Sequence, residues 1–299
     1  MKIYLGVPRG FCAGVVRAID LVELALKKYG PPIYVKHQIV HNSFVVDSLE
    51  NKGAITVEDV NDIPRGAKVV FSAHGSPPED FTKADNRNLE IIDATCPLVI
   101  KVHNEAKKYA KEGRKIVLVG HKGHQEVKGT MGQADMDIVD DREQFERPQW
   151  SKNVPVAVIT QTTLSVDDTE TSIGKIKNSF DDVLVRNDLC YATTNRQNAV
   201  KEIANNVDVM LVIGSKNSSN CNRLRDVAES ANVKSYLING VDELNLDWLK
   251  DVDNIGITSG ASTPEVLVEE VIEYLSPDEV VPMGGEEENI IFKLPGNLR

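Results

Sequence analysis

Three of the four cysteines, Cys12, Cys96 and Cys190, share one local pattern: an apolar strand, then the cysteine, then the start of a helix. A cysteine at a helix N-terminus meets the positive end of the macrodipole and free backbone N–H groups, which favour thiolate over thiol. Thiolate is the form that ligates metal. Three such groups, one from each repeat, would hold a four-iron cubane with one iron not bound by protein, or a Zn²⁺ with one open position. Either open position is a place for a reaction. The bland alternative is three buried apolar cysteines, which leaves their matched placement without a reason. Cys221 falls outside the pattern and reads as a helix residue beside Asn220. No CxxC pair occurs, so any metal centre is assembled from remote segments.

A second set of residues lies in the polar loops that follow apolar strands. His41, His124 and Ser218 come 29, 28 and 28 residues after the cysteine of their own segment, and His74, Thr162 and Ser262 follow in a later loop of each. With Thr163, Ser219 and Asn220 they offer imidazole, hydroxyl and amide donors from all three segments, a donor set suited to a phosphate or diphosphate. Taken singly, a loop Ser or Asn is more often a helix cap. Glu126 is the one carboxylate in these inner loops, two residues from His124. Burial would raise its pKa toward neutrality and let it deliver a proton to a leaving oxygen, with Thr162 as relay. Its other reading is an acidic residue in a first helical turn, satisfying the dipole. His37 and His103 read as structural, and His121 fits either class.

The elements that must position these groups repeat three times. Val15, Ala18, Ile19, Val22, Ala25 and Leu26 follow a helical period after Cys12, and Gly30 ends that helix. Pro97 takes the first helical position after Cys96, and Thr193 or Thr194 could cap the helix after Cys190. Each helix leads to a strand and a polar loop, then to a further strand and loop. Strands alternating with helices predict parallel βαβ units whose loops gather at the carboxyl ends of the strands. The expected fold is α/β, with three similar units of parallel sheet in pseudo-threefold arrangement around a central site. The segments are residues 1–96, 97–190 and 191–281, with 282–299 as a tail. The third unit lacks a closing strand of its own, and the N-terminal strand would supply it. The tail reads as an acidic loop, Gly284 to Glu288, before an apolar segment, Ile290 to Phe292, packed on a neighbouring unit.

Composition narrows the partners. The chain has 299 residues, 41% hydrophobic and 26% charged, ordinary globular values with ample length for a core. Its net charge of −11 argues against a general nucleic-acid binder. No apolar run approaches the roughly 18 residues of a membrane helix, and Pro8 and Arg9 interrupt any signal-peptide core. The expectation is a cytoplasmic protein with no nucleic-acid or membrane partner, in which four scattered cysteines serve ligation or catalysis rather than disulfides.

Nine segments carry a resemblance: Gly10 to Val15 (GFCAGV), His41-Asn42, His74-Gly75, Ala94 to Pro97 (ATCP), Gly120 to Glu126 (GHKGHQE), Gln161 to Asp168 (QTTLSVDD), Cys190 to Gln197 (CYATTNRQ), Gly214 to Asn220 (GSKNSSN) and Thr258 to Pro264 (TSGASTP). In this order, over residues 1 to about 295, the chain resembles the family of 4-hydroxy-3-methylbut-2-enyl diphosphate reductases. The resemblance implies a [4Fe-4S] cluster on Cys12, Cys96 and Cys190 whose free iron takes the substrate hydroxyl. Two electrons and two protons then expel water, giving isopentenyl and dimethylallyl diphosphate, with electrons from a ferredoxin or flavodoxin. It also implies that His41, His74, His124, Ser218, Ser219, Asn220 and Ser262 hold the diphosphate, that Glu126 is the proton source and Thr162 its hydroxyl partner. Cys221 departs from the pattern, which more often has a small hydroxyl residue there. A fourth thiol so placed could oxidise or misligate near the site. Two other classes remain open on the residues alone: a colourless zinc hydrolase or lyase on the same thiolates, and an iron–sulfur redox sensor, which would show a partner-binding helix or basic patch.

Overall fold

Short β-branched runs bounded by polar turns form the strands, and they are apolar on both faces because helices cover both sides. Val209–Ile213 (VMLVI) is the clearest case, with all five residues buried. In the computed structural model, which describes residues 1–285 and 288–298, thirteen strands build three sheets whose recorded strand pairs are all parallel. In chain order the elements begin β1 (Lys2–Val7), α1 (Ala13–Tyr29), β2 (Ile33–Lys36), α2 (Ser43–Asn51), β3 (Ala54–Val57), β4 (Lys68–Phe71), α3 (Pro78–Asn86) and β5 (Glu90–Asp93). They continue α4 (Pro97–Lys111), β6 (Lys115–Val119), α5 (Gln125–Met131), β7 (Met136–Val139), β8 (Pro155–Thr160), α6 (Val166–Lys177) and β9 (Asp182–Val185). The last are α7 (Tyr191–Ala204), β10 (Val209–Ile213), α8 (Ser219–Ser230), β11 (Lys234–Ile238), β12 (Asn254–Ser259), α9 (Glu265–Leu275) and β13 (Glu279–Gly284).

The sheets repeat one order: β3-β2-β4-β5, β7-β6-β8-β9 and β11-β10-β12-β1-β13. The α/β class with three similar parallel sheets is therefore as expected. β1 lies beside β12, with Ile3 opposite Ile255, so the strand that leads to Cys12 takes the place that β5 and β9 hold in their own sheets.

Two expectations need correction. The stretch read as the start of the tail is part of a further strand: β13 pairs with the far side of β1, Ile3 facing Val280 and Leu5 facing Pro282. Pro282 has no N–H to give, which an edge strand tolerates. Second, the apolar run after it is not packed away, because Ile291 is 89% exposed. The last residues are fixed instead by Leu298, which is buried, and by the Arg17 side chain donating to the Lys293 carbonyl. Of the acidic loop, Glu286 and Glu287 lie outside the described residues.

The chain divides into two compact units, one of Met1–Val15, His41–Val45 and Cys190–Ile291, the other of Val16–Val40, Val46–Leu189 and Phe292–Arg299. In the first, one face of the five-stranded sheet packs Ile3, Leu211 and Ile257 against Val268 and Val271 of α9, and the other packs Met210 and Val212 against Val200 of α7 and Leu224 of α8. In the second, the β6–β9 sheet packs Ile116, Leu118 and Ile159 against Val102 and Ala106 of α4, and Val117 and Val158 against Ile173 and Ile176 of α6. No helix among the described residues is long and apolar enough to cross a membrane.

Candidate functional site

The three patterned cysteines form no disulfide, are of intermediate exposure, and each stands at the head of a helix. Cys12 directly precedes α1, and its N–H donates to the Ala261 carbonyl at 3.1 Å. Cys96 is the N-cap of α4, with Pro97 behind it. Cys190 is the N-cap of α7: its Sγ accepts from the Thr193 N–H at 3.3 Å and lies 3.1 Å from the Thr193 hydroxyl. The sulfur thus does the capping expected of Thr193 or Thr194. Tyr191, next along, accepts the Ala13 N–H at 3.3 Å, and its phenol is pushed up to about 12 by burial and then by the neighbouring Cys12.

Besides Cys12 and Cys190 the first unit holds His41, Ser218, Ser219, Asn220 and Ser262. Ser218 is the N-cap of α8, so the bland reading applies to its hydroxyl as far as the Cys221 N–H goes. Ser262 donates to the His41 carbonyl at 3.1 Å, tying the loop after β12 to the one after β2. Asn220 differs. Its side chain is buried, and neither the amide nitrogen nor the oxygen has a hydrogen-bond partner among the described residues. Such a group costs about 1–3 kcal/mol until something binds it.

Cys221, the departure from the pattern, is fully buried in the core with Val212 and Leu224, and burial pushes its thiol up. A shut-in neutral thiol neither ligates nor oxidises readily. The loops at Gly214 and Gly260 close over it, and a Cβ at either would overlap the sulfur. Gly214 also sits at φ +149°, and an added Cβ would lie 2.6 Å from Thr263 Oγ1. Gly214→Ala should therefore lower unfolding free energy by about 1–3 kcal/mol, read by urea denaturation; an unchanged midpoint would show that the sulfur has room to move.

The second unit places Cys96, His74, His124, Glu126, Thr162 and Thr163. His124 is the N-cap of α5, its Nδ1 accepting the Glu126 N–H at 3.2 Å, and its ring stands edge-on to His74 at 6.1 Å. Glu126, in the first turn of α5, is 3% exposed. One carboxylate oxygen accepts the Thr162 N–H at 2.7 Å and the other the Thr162 hydroxyl at 2.9 Å. Burial raises its pKa to about 7; the two Thr162 donors pull it down and the charge of Asp188 pushes it up. The result is a carboxyl that holds its proton near neutral pH beside an oriented hydroxyl, the arrangement of a general acid.

Sequence reasoning gave no role to the residue that precedes Thr162. Gln161, 1% exposed, accepts the His121 N–H through Oε1 at 3.0 Å and donates through Nε2 to Thr163 Oγ1 at 3.0 Å, cross-linking the loops after β6 and β8. Its place at the end of an apolar strand beside Thr162 was the available signal. His121 also pairs through Nε2 with Asp141 at 3.0 Å, and His37 pairs with Glu58 at 2.9 Å. His103 is buried on α4, where burial and then Lys107 lower its pKa to about 4.

The LytB protein family model matches residues 3–276. A 4-hydroxy-3-methylbut-2-enyl diphosphate reductase 2 of Bradyrhizobium diazoefficiens is 52% identical over 306 residues, covering 100% of this chain and 99% of that protein. The chain belongs to the LytB family. A second member, the 4-hydroxy-3-methylbut-2-enyl diphosphate reductase of Ruthia magnifica, is 49% identical across the whole of both chains. The solved E-1-hydroxy-2-methyl-but-2-enyl-4-diphosphate reductase of Plasmodium falciparum is 41% identical, with a TM-score of 0.94 over 99% of this LytB chain and 96% of its own.

Proposed function

We propose that the chain catalyses the reductive dehydroxylation of (E)-4-hydroxy-3-methylbut-2-enyl diphosphate to isopentenyl and dimethylallyl diphosphate, consuming two electrons and two protons and releasing water. The observation that carries this reading is the buried Glu126–Thr162 pair, a carboxyl whose pKa burial raises to about 7, in a chain of this family. An allylic hydroxyl leaves poorly as hydroxide. Protonation as it departs makes the leaving group water.

The donor chemistry of the chain fits an iron–sulfur centre: three partly exposed thiols outside any disulfide, each at a helix start where the macrodipole and first-turn N–H groups favour the anionic sulfur. We assign Cys12, Cys96 and Cys190, one from each of the three similar segments, as ligands of a [4Fe-4S] cluster. When bound, that group supplies one-electron transfer and a Lewis-acidic iron with an open position. The chain's own residues do the rest. Glu126 gives its proton to the departing oxygen, and Thr162 holds the carboxyl in one orientation. His41, His74, His124, Thr163, Ser218, Ser219, Asn220 and Ser262 bind the diphosphate and orient the small hydrocarbon by its charged end. A ferredoxin or flavodoxin delivers the electrons in the cytoplasm.

Anaerobic assay of iron-loaded protein with a reduced low-potential viologen and the allylic alcohol diphosphate tests this: both five-carbon diphosphates should form, and their absence from fully loaded protein would contradict it. Asn220 supplies a sharper prediction. Asn220→Ala removes an amide that folding leaves unsatisfied, so substrate-free protein should melt no lower than wild type while KM rises about tenfold. A lowered melting temperature with unchanged KM would make Asn220 a packing residue.

A further inference from the structure

The segment Cys190 to Gln197 contains a charged residue that the proposed chemistry leaves without a task. Arg196 on α7 has no exposed surface, and a guanidinium cannot shed its charge, so its burial has to be answered by acceptors. Its Nη1 donates to the Ala192 carbonyl at 3.0 Å and to the Glu288 carboxylate at 2.9 and 3.1 Å. Its Nη2 donates to the Gly10 carbonyl at 2.8 Å. Asn195 adds a bond from its amide to Glu288 at 3.2 Å. Glu288 comes from the tail beyond β13, and Gly10 stands two residues before Cys12. One buried side chain therefore joins the helix capped by Cys190, the turn that ends in Cys12, and the C-terminal tail.

We propose that Arg196 and Glu288 form a buckle that fixes the Cys12 turn to α7, so that Arg196 is a positioning residue for the two thiols and the tail is a strap whose fastening retains the cluster. The second half of this statement rests on the reading of Cys12 and Cys190 as cluster ligands. The physical reason is the asymmetry of buried ion pairs: taking away one partner leaves a charge that only water can satisfy, and water reaches Arg196 by displacing the tail and the Gly10 turn. The amides most affected are those of Cys12, now bonded to Ala261, and Ala13, now bonded to Tyr191.

The test uses full-length wild type, Glu288→Ala, Arg196→Met, Glu288→Gln as the conservative variant, and Val271→Ala as a control that loosens the core under α9. Hydrogen exchange is followed in metal-free protein, and iron release to a ferrous chelator in loaded protein. In Glu288→Ala and Arg196→Met, amides 10–15 should exchange on the order of tenfold faster while those of β11 keep their rate, and iron should leave on the order of tenfold faster. Glu288→Gln, which keeps an acceptor oxygen, should fall between, and Val271→Ala should melt lower with neither effect. Unchanged exchange at 10–15 in both variants, or an equal change in Val271→Ala, overturns the buckle. Exchange reads it without metal, so a wild-type chain that took no iron would be seen separately, as the failure of the cluster reading and of the strap's role in retention.

Discussion

Glu126→Gln is expected to lower turnover by about 10²–10⁴-fold while leaving substrate affinity within a factor of about two. Gln has the size of Glu: its amide oxygen can still accept the Thr162 N–H bond now made at 2.7 Å, and its NH2 can donate to the Thr162 hydroxyl, now 2.9 Å away, once that hydroxyl turns to accept, so the loop geometry survives the change. What disappears is the transferable proton. The wild-type enzyme should also lose activity as pH rises through about 7, because burial holds Glu126 protonated up to that point and ionised Glu126 has no proton to give. The variant's residual rate should show no such limb. Stability provides a second sign. A carboxyl whose folded pKa lies above its ordinary value binds its proton more tightly in the folded state, so this contribution is full at low pH and declines as pH climbs to about 7. Denaturation at about pH 5 and about pH 8 should show a steeper fall for wild type than for Glu126→Gln. Unaltered turnover in the variant would remove Glu126 from the mechanism.

Cys190→Ser should strip the protein of most of its iron and sulfide without unfolding it. Serine is among the best N-cap residues, and the hydroxyl can take over the bond that the Cys190 sulfur accepts from the Thr193 N–H. The helix α7 therefore keeps its start, and the thermal midpoint of the metal-free variant should stay close to that of metal-free wild type. Only the soft donor is lost, and a hydroxyl is a poor substitute for thiolate toward iron. Cys221→Ser is the internal contrast: that sulfur is sealed in the core, and its replacement should leave iron content unchanged. Full iron and sulfide in Cys190→Ser would refute its assignment as a ligand.

Much of this was readable in the chain before any coordinates. The parallel sheets were legible because short apolar runs alternate with helices of regular period, and the place of β1 in the third sheet followed from the closing strand that the third segment lacks. β13 was hidden by Pro282, which forbids a central strand and is harmless at an edge. Among the proposed site residues, Glu126 stood out as the one carboxylate of the inner loops, and the structure buries it. The backbone N–H that Thr162 turns toward it, and the Gln161 side chain stapling the neighbouring loops, depend on the approach of residues 36 and 40 positions apart. Local pattern carries no trace of such distances. The sulfur of Cys190 as a helix cap was missed for a different reason: hydroxyls dominate that position, and two threonines stood close by.

The central claim is that Cys12, Cys96 and Cys190 together bind one iron–sulfur cluster, and the most direct measurement is iron and acid-labile sulfide analysis with an absorption spectrum on protein kept free of oxygen. The account predicts brown protein carrying about four iron and about four sulfide per chain, with each Cys→Ser variant at the three positions losing most of both. Colourless protein that holds zinc, or none of these metals, through those thiols would contradict it.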